Sequence, residues 1–228
     1  MENLLLKYMT ERFNEPKVKD KEDGPVITIS RDHGCNAEEI AELLQKKLNA
    51  RIDKNIDSTF WKCIDKEVIE KSAQYLKSHP ESISHFFDAK TVNLLGEIAA
   101  SFSNNKYVSD SKIKNTISSV IFSYAEEGYN IIIGRAGCYI AKNIIKSLHI
   151  KLIAPFDWRV EQIMKINEIS KQEAKNEVLD IDKKRNDFMN FYKKTSNDDV
   201  FHLTFNTKLL SKEEIVDAIF ILAKKHLF

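Results

Sequence analysis

The stretch Pro25–Leu48, PVITISRDHGCNAEEIAELLQKKL, predicts a buried strand, a tight turn and a helix. The β-branched residues Val26, Ile27 and Ile29 suit a strand that is covered on both faces. Gly34 then breaks the pattern. A turn at this place directs the first N–H groups of the helix, and its positive dipole end, at whatever lies above the strand, which favours phosphate binding. The apolar positions of the helix have helical spacing: Ile40, Ala41, Leu43, Leu44 and Leu48.

The turn departs from the standard phosphate loop, G-x-x-x-x-G-K-[ST]. Asn36 and Ala37 stand where the second glycine and the lysine are expected. Two interpretations of the pattern therefore remain open. One is a phosphate site, and the other is an ordinary strand-to-helix turn of an α/β protein.

The composition limits the classes of function. The chain has 228 residues, of which 43% are hydrophobic, and its 35 Lys and Arg nearly balance its 34 Asp and Glu. This balance argues against a general nucleic-acid or membrane surface, and no apolar run approaches the ~20 residues of a membrane span. The scattered, odd-numbered cysteines, without zinc-site spacing, fit free thiols in a cytoplasmic protein: Cys35, Cys63 and Cys138.

The order of predicted elements favours one large domain. Residues 1–24 are predicted to form an N-terminal helix and a connector, and residues 25–228 the domain. A brief second strand is predicted at Arg51–Asp53, followed by a helical insert over residues 55–124. Strands that alternate with helices predict a parallel sheet of about five strands with helices on both faces, a three-layer α/β/α fold.

A second informative stretch is Tyr129–Lys146, YNIIIGRAGCYIAKNIIK. Gly134 and Gly137 bracket Arg135 at the end of a predicted buried strand. Ligands of open α/β sheets lie at the carboxyl ends of strands, so this arginine is a candidate ligand contact. The alternative is a surface arginine in a loop.

The region of residues 159–195 carries two charged features. Arg159 lies in the first turn of a predicted helix, where a cation opposes the dipole. Asp182, Lys183, Lys184 and Arg185 form a dense run in the next helix. Taken alone, the placement of Arg159 can be explained by a surface salt bridge. The charged run alone can be explained by a solvated face of the helix.

Four segments carry a resemblance to a known family: ITISRDHG followed by EEIAELL, IIIGRAGCYIAKN, LHIKLIAPFDWRVEQIM with DKKRNDFMNFYKK, and FHLTFNT followed by SKEEIVDAI. In their order and spacing they resemble the cytidylate kinase-like family, a branch of the P-loop nucleoside monophosphate kinases. The likeness runs from Val26 to the C-terminus and is strongest between Ile131 and Ile219.

The resemblance implies a P-loop kinase-like fold with a helical lid over residues 159–195, ATP as the phosphoryl donor and Mg²⁺ as its metal. Gly134 and Arg135 would bind the acceptor, a nucleotide or other small phosphorylated substrate. The catalytic residues would be Arg159, Asp182 and Arg185. The loop and the start of the helix would bind ATP: Arg31, His33, Gly34, Cys35, Asn36, Ala37, Glu38 and Glu39.

Two departures from the family pattern leave a second function open. Glu38 and Glu39 place carboxylates where a triphosphate is expected, and we expect Glu39 to replace the hydroxyl that ligates Mg²⁺ in the wider class. One hypothesis is phosphoryl transfer from ATP to a nucleoside monophosphate-like acceptor. The other is a catalytically weakened or inactive kinase-fold protein that binds a nucleotide or another anion, with a homodimer through the N-terminal helix as one arrangement. Nucleic-acid binding through the lysines around Lys183 is a weaker option.

Overall fold

The computed structural model describes residues 24–50, 60–65, 110–193 and 200–228. Its described part is a five-stranded, all-parallel sheet with six helices. The strands are β1 (Val26–Arg31), β2 (Lys62–Ile64), β3 (Asn130–Ile133), β4 (Ser147–Ile153) and β5 (Leu203–Asn206). The helices are α1 (Ala37–Asn49), α2 (Asp110–Glu127), α3 (Gly137–Ile140), α4 (Phe156–Asn167), α5 (Lys171–Lys193) and α6 (Lys212–His226).

Strand β1 lies at the centre of the sheet, whose order is β2-β3-β1-β4-β5. It pairs with β3 from Val26 to Ile29 and with β4 along its full length to Arg31. The chain continues from β1 to one side of the sheet and returns to build the other side from β4. The carboxyl end of β1 is therefore a topological switch point, where open α/β sheets bind ligands.

Two apolar cores cover the two faces of the sheet. On one face, Ile27 and Ile29 of β1 pack with buried residues of α1 and α6, including Ile40 and Ile219. On the other face, residues of α2 and α3 pack with Phe188 near the end of α5. A small separate core joins α4 to α5. Helix α5 is thus anchored at its two ends and passes over the carboxyl edge of the sheet.

Two glycines cross at the amino edge of the sheet. A Cβ atom built on Gly128 would lie 2.4 Å from the Cα atom of Gly24, and Gly128 has a φ of 79°. The Tyr129 N–H donates to the Pro25 carbonyl at 2.6 Å beside this crossing. The start of β1 is therefore held against the turn before β3 by backbone contact that leaves no room for a side chain.

The predicted fold class is confirmed: the sheet is parallel, has five strands and has helices on both faces. The predicted capping box at Ser211 and Glu214 is also present at the start of α6. The helical interpretation of Phe60–Ile64 is wrong, because Lys62–Ile64 forms the edge strand β2 and pairs with β3. Trp61 lies just before it and packs against Tyr129, so its burial comes from the sheet.

Several predicted segments lie outside the described residues. They are the N-terminal helix and connector before residue 24, the strand at Arg51–Asp53, and residues 66–109 of the insert. Among the described helices, none combines the length and the apolar character that crossing a membrane requires.

Candidate functional site

The turn after β1 uses a left-handed backbone at two places. Gly34 has a φ of 91°, and Asn36 has a φ of 49° at the N-cap of α1. Asparagine tolerates this conformation better than most residues, as expected for the residue that replaces a glycine here. A Cβ atom on Gly34 would meet the carbonyl oxygen of Arg159 at 3.0 Å. The turn therefore lies directly on the backbone of α4.

Arg31, the last residue of β1, is fixed beside the turn. Its Nη2 donates to Glu38 Oε1 at 3.0 Å, and its side chain is only 9% exposed. The guanidinium occupies the space above Gly134, where a Cβ atom would lie 1.9 Å from Nη1. Its Nε atom has no hydrogen-bond partner among the described residues. A buried cation with unused donor capacity therefore ends the central strand.

Glu38 and Glu39, adjacent in the first turn of α1, have different partners. Burial alone would raise the pKa of Glu38, but the Arg31 charge and hydrogen bonds from Arg31 and the Glu38 backbone hold this pKa below its usual value. Glu39 instead forms an ion pair with Lys212 of α6. Counted from Ala37, the hydroxyl position of the wider class falls on Glu38. The assignment of that position to Glu39 was therefore one residue too far, and the structure turns Glu39 toward α6.

Helix α5 holds the turn through a carboxylate. Asp182 Oδ1 accepts from the His33 backbone N–H at 2.8 Å, and Asp182 Oδ2 accepts from Arg159 Nη1 at 2.5 Å. The same Nη1 donates to the His33 carbonyl at 3.1 Å, and Arg159 Nε donates to the Ala154 carbonyl at 3.1 Å. Arg159 is 8% exposed. These carbonyls and the carboxylate offset the unfavourable interaction of the Arg159 charge with the dipole of α4. The contacts of Arg159 are those of a residue that anchors the turn.

The His33 side chain forms a second link between the turn and α5. Its Nε2 lies 3.0 Å from Glu177 Oε1, and both carboxylate oxygens of Glu177 accept from Asn167 Nδ2 at 3.1 Å. Burial lowers the pKa of His33, and Arg185 acts in the same direction, while the hydrogen bond to Glu177 opposes this shift. The turn, α4 and α5 therefore form one hydrogen-bonded unit.

The turn after β3 is shaped by three successive left-handed residues. Gly134, Arg135 and Ala136 have φ values of 71°, 55° and 54°. Such strain in residues other than glycine persists where surrounding structure determines it and is common at functional sites. Arg135 Nη2 forms an ion pair with Asp65 Oδ1 at 3.0 Å, and the Arg135 side chain is 7% exposed. Asp65 directly follows β2 at the same edge of the sheet.

These elements line an open cleft above the carboxyl ends of β1 and β3. Four cations line it: Arg31, Arg135, Lys184 and Arg185. Its remaining lining is Ser30, Gly134, Ala136, Phe188 and Met189. The structure thus brings Arg31, Arg135 and Arg185 together.

Among the other predicted site residues, Arg159 and Asp182 lie behind the turn rather than in the lining. Cys35 is buried, and burial raises the pKa of its thiol to about 11. Burial also raises the pKa of the neighbouring Asp32, against the lowering effect of Arg159. The turn therefore offers no ready nucleophile at neutral pH, in keeping with a site that positions charge.

Sequence reasoning missed four residues of this arrangement: Asp65, Asn167, Glu177 and Lys184. Asp65 had a usable signal, because it follows a strand at the carboxyl edge, but that strand was interpreted as helix. Glu177 contacts His33 across a separation of 144 positions in the chain, and Asn167 donates to Glu177. Such partners depend on how α4 and α5 cross, which no local pattern encodes.

The described residues offer few groupings of side chains that could hold a metal ion. Within the described ranges, no three His, Cys, Asp or Glu side chains are grouped so as to hold a metal ion. Mg²⁺ is commonly held by one or two carboxylates together with substrate phosphates and waters. The cationic lining of the cleft fits the phosphates of such a substrate.

The parallel sheet, the lid-like pair α4–α5 and the cationic cleft at the switch point define an α/β/α protein of the kinase-like class. The profile of the cytidylate kinase-like family matches residues 26–209. Since this match covers most of the chain, the protein belongs to the cytidylate kinase-like family. A comparison with proteins of curated function finds no match.

A solved structure with a TM-score above 0.5 agrees with this fold, and two further structures are similar at lower scores. An uncharacterized protein from Eubacterium ventriosum is 17% identical with a TM-score of 0.60, over 88% of this chain and 98% of that chain. A shikimate kinase from Acinetobacter baumannii in complex with shikimate is 12% identical with a TM-score of 0.49, over 91% and 97%. A shikimate kinase from Bacteroides thetaiotaomicron is 12% identical with a TM-score of 0.47, over 88% and 98%.

Proposed function

We propose that this protein transfers the terminal phosphoryl group of ATP to a nucleoside monophosphate-like acceptor. The observation that carries the proposal is the cleft, in which four cations from β1, the β3 turn and α5 converge at the switch point of the sheet. Phosphoryl transfer needs positioning and neutralised oxygens more than it needs covalent chemistry by the protein. Membership of the cytidylate kinase-like family supports the same reaction class.

The cleft suggests a division of roles. Arg31 would bind the donor phosphates, because it ends the central strand beside the turn. Arg135, held by Asp65, would bind the acceptor phosphate. Lys184 and Arg185 on α5 would neutralise charge on the transferring group, while an acceptor oxygen attacks the terminal phosphorus and the bond to the bridging oxygen breaks, which leaves ADP. Arg159 and Asp182 would keep the turn in place.

Magnesium fits this arrangement as a substrate-borne ion. It would neutralise charge on the donor phosphates, which the cations of the cleft would hold. The protein's own contribution is to exclude water, because α5 passes over the cleft and brings Phe188 and Met189 into its lining. Water exclusion matters because water would otherwise accept the phosphoryl group.

The test is isothermal titration with ATP–Mg²⁺ and a panel of monophosphates, paired with a coupled assay for ADP. We expect ADP formation that depends on one acceptor. An Arg185→Ala variant should lose about 100-fold or more in turnover, an effect far larger than its loss of stability. Lys183→Ala is the matched control, since Lys183 is an exposed neighbour outside the cleft lining. No binding heat and no turnover for any pair would refute the proposal, and binding without turnover would leave a nucleotide-binding protein.

A further inference from the structure

We propose that Glu38 is an internal stand-in for a phosphate group on Arg31, and that a nucleoside triphosphate binds by displacing it. The inference deepens the proposed function and rests on it for the identity of the anion. Arg31 would then supply the positive charge that a standard phosphate loop takes from its lysine. In this chain that lysine position is Ala37, which is fully buried and brings no charge.

The first argument is the way in which Arg31 is built into the fold. Its side chain is 9% exposed and lines the cleft, and its Nε has no hydrogen-bond partner among the residues that the structure describes. The space for its guanidinium exists only because residue 134 is glycine. A buried guanidinium with an unused donor is costly unless an anion completes its hydrogen bonding. Glu38 completes it only in part.

The second argument is the asymmetry of the ion pair. The Glu38 side chain is 53% exposed, whereas that of Arg31 is 9% exposed. Only the carboxylate can therefore leave the pair at little cost, because it returns to water at the helix surface. The guanidinium stays in place between β1 and Gly134. A phosphate group can accept two parallel hydrogen bonds from such a fork and carries more charge than a carboxylate, so it competes well for the position.

The third argument concerns the other role open to Glu38, ligation of a metal ion. Its neighbour Glu39 is paired with Lys212 on α6 and gives no second carboxylate at this place. Glu38 itself already bonds to a cation at 3.0 Å. A carboxylate that is already paired with a guanidinium competes with other anions for that guanidinium, and it is not free to bind a metal ion. The two roles predict opposite effects of removing its charge.

The experiment measures binding of inorganic tripolyphosphate without magnesium, by isothermal titration at fixed ionic strength. We expect Glu38→Gln to bind about 5–10-fold more tightly than the unmodified protein, because Arg31 no longer has an internal partner. Arg31→Met should bind about 10-fold or more weakly. Glu42→Gln is the matched control: it removes the same charge from an exposed position one turn later in α1, and should stay within about twofold.

The double variant Arg31→Met with Glu38→Gln closes a thermodynamic cycle. It should bind as weakly as Arg31→Met alone, since the gain from losing Glu38 acts through Arg31. Arg31→Lys keeps a cation and serves as a second variant if Arg31→Met fails to fold, as judged by its melting temperature. A gain that persists without Arg31, or an unchanged or weaker Glu38→Gln affinity, would overturn the inference. So would tripolyphosphate binding that is undetectable in every variant.

The readout separates this inference from the proposed function. If no acceptor supports turnover but Glu38→Gln gains affinity through Arg31, the stand-in role holds and the kinase proposal fails. If turnover is found but Glu38→Gln shows no gain in affinity, only the stand-in role fails. If Glu38→Gln instead needs a higher magnesium concentration for half-maximal rate with no gain in tripolyphosphate affinity, Glu38 is a metal ligand and the inference is refuted.

Discussion

The turn after β1 and the turn after β3 reach the same edge of the sheet and each places one arginine in the cleft, but they are held differently. The β1 turn is held from outside the sheet, by Asp182 and Glu177 of α5. The β3 turn is held from within the sheet, by Asp65 after the neighbouring strand. Movement of the first half of α5, which carries Glu177 and Asp182, should therefore alter the first turn more than the second, which packs near Phe188 farther along the helix. In the proposed function, the donor side of the cleft would therefore follow this half of α5 more closely than the acceptor side.

The largest effect is expected at the glycine where the two turns meet. Gly134→Ala would put a Cβ atom 1.9 Å from Arg31 Nη1, so the guanidinium must leave its position. We expect turnover to fall by about 100-fold or more, with a loss of only about 1–2 kcal/mol in the free energy of unfolding from the left-handed backbone. Steady-state kinetics and urea unfolding check this.

Gly34→Ala is the comparison for that variant. Its Cβ atom would meet the backbone of Arg159, which cannot move as a side-chain tip can. The stability loss should therefore be larger than for Gly134→Ala. A Gly134→Ala protein with normal turnover would show that Arg31 does not need its observed position.

The next effect tests how α5 holds the first turn. Asp182→Asn would leave the buried Arg159 without its counter-charge, and we expect a loss of about 3 kcal/mol in the free energy of unfolding. Asp180→Asn is the control, because Asp180 and its partner Lys184 are 50% and 42% exposed. That variant should change stability by less than about 0.5 kcal/mol. Equal losses in the two variants would contradict the anchoring role.

A smaller effect is expected in the pH dependence of stability. The pKa of His33 lies below its ordinary value of 6.5 in the folded protein, chiefly because of burial. The unfolded chain therefore binds a proton more readily, and acid favours unfolding. The contribution of His33 to stability is complete above pH 6.5 and is lost as the pH falls below that value.

Urea unfolding between pH 5 and 7.5 measures this contribution. We expect the stability of His33→Gln to fall less steeply with acid than that of the unmodified protein. His149, whose pKa burial lowers to about 4, is present in both proteins and cancels in the difference. Parallel curves would show that His33 does not titrate with folding.

The smallest expected effect is a similarity between the two turns. Cys35 lies in the β1 turn and Cys138 just after the β3 turn, and burial raises the pKa of each thiol to about 11. Neither should react with iodoacetamide at pH 8 within a time that modifies the partly exposed Cys63. Mass spectrometry of peptides gives the extent of modification. Reaction at Cys138 before Cys35 would contradict the expectation that the β1 turn is the more mobile of the two turns.

The sequence predicted the parts of the site that depend on local pattern. The β1 strand, the left-handed Asn36 and the placement of Arg135 after a buried strand follow from hydrophobic runs and glycine positions. Strand β2 was missed because three residues are too few to show a period, and Phe60 and Trp61 beside it imitate a helical face. Short edge strands are recognised through their pairing, which a single sequence does not contain.

The distribution of cations within the site could not be derived from the sequence. The sequence alone does not show which partners distinguish Arg135, Arg159 and Arg185. Their partners separate them: Arg159 bonds to Asp182 and to two carbonyls, whereas Arg135 lines the cleft beside Arg185. The difference arises from the crossing of α4 and α5 over the turn, a long-range feature that follows from packing of the small α4–α5 core.

The backbone crossing of Gly24 and Gly128 lies at the edge of the sheet opposite the cleft. It lies at the start of β1, whose six residues span about 20 Å before the arginines begin. A fluorescent reporter attached at the exposed Glu127, beside this crossing, would stand well clear of any nucleotide bound in the cleft. Quenching or energy transfer from there to a label on α5 would then measure whether that helix moves on ligand binding, without the dye competing for the ligand.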